Sequence, residues 1–307
     1  MLVRGPRTTL KARMTEPDLT ANLLANGPYV RDEAPFALLE VIGPDAGAFI
    51  QRLCTQDILG LGEGEVAPAA FLNAKGRVRF TVLIWACGEG YRMETRAEQV
   101  DGLLEMLDRY HFTEKLSVAR VEHAGCAEQI SAATASAQRV EGDGEVFRLT
   151  FARRGVQFVR SYGQAAPGGG VALSPELAEA LRMAAGIVRV GVETEASTLA
   201  FEADLEDHCS LRKGCYTGQE IVARIHNRGG VNRKLCLLHL DNGDAIDAPM
   251  KLLELEDEFP VGRVMHAVPV PGHDLRVGLG YLPEDFQARG SKLKLEDGAA
   301  VEVQGFA

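Results

Sequence analysis

Short apolar runs punctuated by Gly, Pro and Asp set the rhythm of the chain. Residues 36–42 are apolar and branched enough for a strand, which Gly43-Pro44-Asp45 breaks. Pro44 and Asp45 suit a helix start, after which Phe49, Ile50 and Leu53 fall on one helical face. Residues 60–64 read as a turn, 78–87 as a long strand, and Gly88-Glu89-Gly90 as a hairpin turn. A helix is predicted over 97–110, with Val100, Leu103, Leu104 and Leu107 on its buried face. Further strands are predicted at 116–121, 146–151 and 156–160. Pro167-Gly168-Gly169-Gly170 reads as a loop, and Ser174-Pro175-Glu176 as a capped helix start that Gly186 is placed to end.

This part mixes strands and helices without regular alternation, which favours an α+β fold over a doubly wound parallel sheet. After about Val231 the pattern changes. Short apolar stretches at 235–240, 261–268, 275–281, 292–295 and 300–303 are separated by Asp, Gly and Pro, as in a small all-β barrel or sandwich. The expected organisation is a flexible tail over 1–24, an α+β region of two interwoven subdomains over 25–232, and a C-terminal β-barrel over 233–307. Met14 is an alternative start, and residues 1–14 carry Arg4, Arg7, Lys11 and Arg13 without the apolar core of a secretory signal.

With 307 residues the chain is long enough for two or three domains, and 46% hydrophobic with 25% charged residues is ordinary for a soluble protein. No run approaches the roughly 18 apolar residues of a membrane span. The six cysteines form no CxxC pair, so they read as reduced cytosolic thiols rather than a zinc site. A net charge of -10 argues against stable nucleic-acid binding. The charge is uneven, however. Residues 193–207 hold six acids and no base, whereas 212–234 hold six bases and the single acid Glu220. That basic island suits either a local anionic ligand or pairing with the neighbouring acids.

Lys213-Gly214-Cys215-Tyr216-Thr217-Gly218-Gln219-Glu220 is the most informative segment. Gly214 and Gly218 permit unusual backbone shapes. Thr217 and Glu220 stand in the spacing of a capping box, and Ile221, Val222 and Ile225 give the following helix an apolar face. A glycine-bearing loop feeding a helix N-terminus, with Lys213 and Arg224 beside it, suits an anion. Cys215 sits where the helix dipole and Lys213 would favour its thiolate.

That octapeptide resembles the signature of the YgfZ family, relatives of the glycine cleavage T-protein. Val41-Ile42-Gly43-Pro44-Asp45-Ala46, Thr55-Gln56-Asp57, Phe71-Leu72-Asn73-Ala74-Lys75-Gly76-Arg77 and Phe201-Glu202-Ala203 resemble other landmarks of that family in order. The likeness spans roughly 30–235. It implies a T-protein-like ring whose central channel holds tetrahydrofolate or a derivative, closed by a small C-terminal barrel. By the same resemblance Glu202 would accept from the pterin edge, Asn73 and Lys75 would face the channel, and Phe36 would line the folate site. Lys213, Gly214, Tyr216, Gln219, Glu220, Arg224 and Arg228 complete the expected folate-binding set, with Cys215 as the reactive residue.

Two departures from the pattern matter. Aminomethyltransferases carry an acid just after the Asn73-like turn, where this chain has Val78-Arg79-Phe80-Thr81. Without it, acid–base help at the folate nitrogen is missing, which argues against a conventional enzyme. The second aromatic that some YgfZ members carry in the helix corresponding to 177–185 is also absent. The resemblance therefore implies a cytoplasmic folate-binding accessory protein. It would support iron–sulfur cluster assembly or repair in client enzymes, tRNA-modifying ones included, with client or assembly proteins as partners and no membrane. The alternatives are a one-carbon or aminomethyl transferase with displaced acids, and an adaptor that binds protein or RNA through the basic island. His208, Cys209 and His226 lie near Cys215 in sequence, but no metal site is assigned.

Overall fold

The structure is a computed structural model that describes residues 16–133, 138–166 and 168–305. In chain order its elements are α1 (Glu16–Ala25), β1 (Tyr29–Arg31), β2 (Phe36–Ile42), α2 (Ala46–Leu53), β3 (Val66–Leu72), β4 (Val78–Cys87), β5 (Gly90–Arg96), α3 (Val100–Tyr110), β6 (Ser117–Val121), β7 (Cys126–Ala132), β8 (Arg139–Asp143), β9 (Val146–Arg153), β10 (Val156–Tyr162), β11 (Val171–Ala172), α4 (Pro175–Ala184) and α5 (Gln219–Arg228). Six further strands follow: β12 (Arg233–Asp241), β13 (Met250–Leu253), β14 (Pro260–Pro269), β15 (Leu275–Pro283), β16 (Lys292–Leu295) and β17 (Ala300–Val303).

These strands form three sheets. One runs β3-β4-β5-β2-β6, a second runs β11-β1-β7-β10-β9-β8, and β12-β15-β14-β13-β16-β17 close into a barrel. Pairing is antiparallel except between β1 and β11. This is the α+β architecture with a C-terminal barrel that the apolar pattern predicts.

The apolar positions explain the layers. Phe49, Ile50 and Leu53 of α2 and Val100, Leu103 and Leu107 of α3 pack on one face of the first sheet, against Leu39, Val41, Ile84 and Met93. The other face of that sheet shares a core with the second sheet, α1, α4 and one side of the barrel. A third cluster, including Leu238, Leu240, Val264 and Val301, fills the barrel. α4 starts as expected, with Ser174 Oγ accepting from Leu177 N–H at 3.2 Å. At α2, Asp45 offers no side-chain cap; its carboxylate accepts from Lys115 N–H at 2.6 Å instead, tying the helix start to the approach of β6.

One expectation changes. The flexible tail was expected to run through residue 24, but residues 16–25 form α1, because Leu19, Leu23 and Leu24 find a buried face in the shared core. The rest of that tail, with Met14, lies outside the described residues, as does Pro167 of the expected loop. β3 carries Pro68, a signal against a strand, yet it forms because it is the edge strand of its sheet and needs no donor there.

Candidate functional site

The two large sheets and α4 enclose a cavity. Its walls include Phe36 from β2, Thr81 and Leu83 from β4, Glu94 and Arg96 from β5, Glu128 from β7, Phe151 and Arg153 from β9, and Phe158 and Arg160 from β10. α4 contributes Ala178, Glu179 and Arg182, and the segment after it contributes Leu205, Asp207 and His208. Strand alternation sends Glu94 and Arg96, Phe151 and Arg153, and Phe158 and Arg160 to the same face of their strands, toward the cavity.

The buried charges occur in balanced sets. Arg160 donates to Glu94 and, at 3.0 Å, to Glu128, while Arg31 pairs with the other oxygen of Glu128. Tyr162 donates its hydroxyl to Glu94 at 2.6 Å. Two acids and two bases thus cancel along this wall, as buried charges require. Burial raises the Glu94 pKa, and the Arg160 charge opposes that rise. The Arg160 guanidinium also lies 3.4 Å from the centre of the Phe36 ring.

On the opposite wall, Arg182 bonds Glu179 at 2.8 Å and Glu193 at 2.6 Å, and His266 of β14 reaches Glu193 at 3.0 Å. Burial would raise the Glu193 pKa. The Arg182 charge and hydrogen bonds from His266, Arg182 and the Arg189 N–H outweigh that, holding it at about 2. This network fixes α4 to the barrel and leaves Glu179, with 21% of its side chain exposed, as the accessible carboxylate of that wall. α4 thus meets the cavity with Ala178, Glu179 and Arg182 where some YgfZ members have an aromatic.

The signature loop lies elsewhere. Lys213 is buried and donates to the carbonyls of Cys54, at 2.9 Å, and Gln56, at 2.6 Å. It therefore pins the loop to the end of α2 and, contrary to the sequence expectation, contributes its charge to no surface anion site. Tyr216 is buried beside it, with the Lys213 ammonium 5.2 Å from its ring centre. Gly214 and Cys215 are exposed between the two.

The expected capping box does not form. Gly218, at φ +86°, precedes α5, and no side chain caps the helix. Thr217 N–H instead donates to Arg52 O at 3.2 Å. The left-handed turn brings Gly218 against the β3–β4 turn, where an added Cβ would lie 2.7 Å from Asn73 O. Asn73 spends its side chain on that same turn, accepting from Lys75 N–H at 2.9 Å and Arg77 N–H at 3.1 Å. Gly218→Ala is expected to destabilise the fold by about 1–3 kcal/mol in urea unfolding. Gly214→Ala, with no neighbour within 4 Å of its added Cβ, is expected to leave the midpoint in place. Equal effects of the two would remove the junction between α5 and the Asn73 turn from the account.

Of the residues expected to bind folate, Phe36 alone lines the cavity; His208, noted for its nearness to Cys215 in sequence, lines it as well. Glu202 sits in a separate cleft beside the barrel, accepting from Leu199 N–H at 3.1 Å and pairing with Arg233 at 3.4 Å. Lys75, Glu220, Arg224 and Arg228 are exposed on the surface around the signature loop, and Gln219 is half-buried there. Among the described residues, no three His, Cys, Asp or Glu side chains come together to hold a metal, and burial pushes the Cys209 thiol up to about 12. The cavity residues Glu94, Glu128, Arg160 and Arg182 were missed. For Glu128 and Arg160 the signal was a lone charge inside a largely apolar strand, which survives burial only with a partner. Glu94 lies between Arg92 and Arg96, and Arg182 follows Glu179, so neither stands out in sequence.

No family model matches the chain. The mitochondrial iron-sulfur cluster assembly factor IBA57 homolog of Phaeosphaeria nodorum is 28% identical over 289 residues, covering 88% of this chain and 67% of that protein. The tRNA-modifying protein YgfZ of Serratia proteamaculans is 28% identical over 292 residues, covering 87% and 88%. Among solved structures, the glycine cleavage system aminomethyltransferase T from Bartonella henselae matches with a TM-score of 0.69 at 16% identity, over 94% of this chain and 88% of that one. The fold is therefore that of the glycine cleavage T-protein. In sequence the chain is similar to YgfZ and IBA57 proteins.

Proposed function

We propose that the protein binds a tetrahydrofolate in the cavity between its two sheets and uses the exposed Cys215 to support iron–sulfur cluster assembly or repair in client enzymes, tRNA-modifying ones included. One observation carries this reading. A single segment lines the cavity at Leu205, Asp207 and His208, and seven residues past His208 presents Cys215 at the surface. Thr55 holds its course, donating its hydroxyl to His208 O at 2.6 Å and accepting at its own carbonyl from Ser210 N–H at 2.9 Å. The names of the relatives, an iron–sulfur assembly factor and a tRNA-modifying protein, support the client class.

The cavity suits a folate. Phe36, Phe151 and Phe158 offer apolar walls to a flat ring, Glu179 and Asp207 can accept from its N–H edge, and Arg96 and Arg153 can meet a carboxylate tail. The cytosolic setting belongs to the same proposal, on the grounds that all six cysteines are free. No helix among the described residues is long and apolar enough to cross a membrane.

Calorimetric titration with tetrahydrofolate tests the ligand. Saturable binding is expected, weakened about tenfold or more by Glu179→Gln and little changed by Glu202→Gln. The absence of binding would end the folate reading. Cys215→Ala is expected to bind folate normally yet fail to restore a cluster enzyme in cells lacking the gene; normal rescue would remove Cys215 from the mechanism.

A one-carbon or aminomethyl transferase is the second reading, and one observation favours it. β4 brings Thr81 and no carboxylate to the cavity, but the adjacent strand β5 brings Glu94. Transfer from a methylene or aminomethyl donor that Glu94→Gln abolishes would move this reading ahead.

A further inference from the structure

The basic island divides in the folded protein. Arg233 pairs with Glu195 and Glu202, and Lys234 with Asp204 and Glu206. Lys213 is buried. That leaves Arg212, Arg224 and Arg228, all exposed, and among the described residues none of them has a carboxylate within ion-pair distance. Lys75 joins them from another part of the chain. The β3–β4 turn that carries it packs under α5, where an added Cβ on Gly76 would lie 2.7 Å from Ile221 Cβ. Lys75 is likewise exposed and without a carboxylate partner among the described residues.

Apolar side chains border the same region. Leu211, next to Arg212, is 45% exposed. Thr217 rests on the last turn of α2 through Arg52 O, and Arg52 in turn pairs with Glu114 and reaches Tyr110 O at 3.5 Å. This places the 110–114 loop beside the signature loop and brings in Phe112, at 80% the most exposed large hydrophobic among the described residues. Cys215 is exposed on the loop between Arg212 and the start of α5.

We propose that the surface around Cys215, bounded by Lys75, Arg212, Arg224 and Arg228 and anchored by Leu211 and Phe112, docks a protein partner through an acidic patch on that partner. The inference rests on the accessory-protein reading above and specifies how a partner reaches the thiol. Four unpaired cations in a chain of net charge -10 create a local field that an acidic patch complements, which steers its approach and sets its orientation. The exposed apolar side chains give such a contact the dry centre that protein interfaces use. A nucleic acid fits less well. Its long-range phosphate charge would meet the acidic remainder of the molecule, and four cations provide a small phosphate footprint.

Thiol–disulfide exchange at Cys215 reads this surface directly. The probes are cysteine peptides of about ten residues in acidic, neutral and basic versions, each activated as a mixed disulfide with thionitrobenzoate. The Cys215 thiolate attacks the peptide sulfur, a new S–S bond forms, the old one breaks, and the coloured thiolate leaves with the electron pair. Cys215→Ser gives the background from the other cysteines. The acidic peptide is expected to react roughly tenfold faster than the basic one at low ionic strength, the ratio collapsing toward one in about 1 M salt. Arg224→Glu with Arg228→Glu should reverse the order. Equal rates for the three peptides, or an order unchanged in the double variant, would overturn the proposal. So would an RNA hairpin that blocks the reaction at lower concentration than a cysteine-free acidic peptide of equal net charge. Failure here with normal dependence of cluster-enzyme rescue on Cys215 would refute the docking surface alone, whereas a charge preference without that dependence would refute the accessory role alone.

Discussion

Arg182→Met should lower stability by about 3–5 kcal/mol at neutral pH, read as a fall in the urea midpoint, because it strips a buried cation from between two carboxylates. Arg182 and Glu193 are both nearly inaccessible, with side-chain exposures of 7% and 0%. Glu193 would keep its hydrogen bonds from His266 and the Arg189 N–H, but a buried anion would have lost its principal countercharge. The double variant Arg182→Met with Glu193→Gln should recover part of the loss, since it removes the stranded charge as well, and the difference from additivity measures the coupling.

The acid limb provides an independent check. The Glu193 pKa of about 2 in the fold lies below the 4.5 of an unperturbed glutamate. For an acid with a lowered pKa, the stabilisation is fully present above the unfolded value and is lost as pH falls through the folded one. The window is therefore about pH 4.5 down to pH 2, and the 2.5-unit difference (4.5 minus 2) corresponds to roughly 3 kcal/mol. Glu193→Gln should flatten the stability profile across that window. An Arg182→Met protein that unfolds at the wild-type urea concentration would show that this network positions α4 without holding it.

The same network shows what the sequence could and could not convey. Strands β2, β4, β16 and β17 coincide with the apolar runs that predict them, because each run is bounded by Gly, Pro or Asp and each faces a core. β7 escaped because Cys126–Ala132 places Glu128 in the middle of a short apolar stretch, and a lone acid reads as exposure until Arg160 and Arg31 are seen to neutralise it. Those arginines lie 32 and 97 residues away in the chain, a pairing no local pattern encodes. The signature loop was legible as a motif, but the directions of its side chains were not. Lys213 faces two carbonyls inside the protein and Arg224 faces solvent, although both had been read as charges on one anion site. Thr217 and Glu220 have capping-box spacing, yet the tight approach of Gly218 to Asn73 O starts the helix one residue later and leaves the threonine outside it.

Arg160→Leu is expected to have an effect of similar size, with the opposite dependence on pH. Arg160 bonds both Glu94 and Glu128, and its side chain and those of the two acids are 6%, 1% and 2% exposed. Removing it at neutral pH leaves two buried carboxylates, with Arg31 for Glu128 and, among the described residues, the Tyr162 hydroxyl alone for Glu94. A loss of about 3–5 kcal/mol follows. Burial already raises the Glu94 pKa, and without the opposing Arg160 charge it must rise further. A raised carboxyl pKa makes the folded state the better proton binder, so ionisation costs stability as pH climbs from the unfolded value through the folded one. The penalty of Arg160→Leu should therefore shrink as pH is lowered from neutrality, because a protonated Glu94 carries no stranded charge and can donate to its neighbours. If the cavity holds tetrahydrofolate as proposed, its affinity should fall along with stability, because the guanidinium also supports the Phe36 ring from within the cavity wall. A penalty that stays constant as pH is lowered from neutrality would mean that the lost energy is the packing of the guanidinium against Phe36 and Phe151, and that the charge chain across this wall is not what holds it.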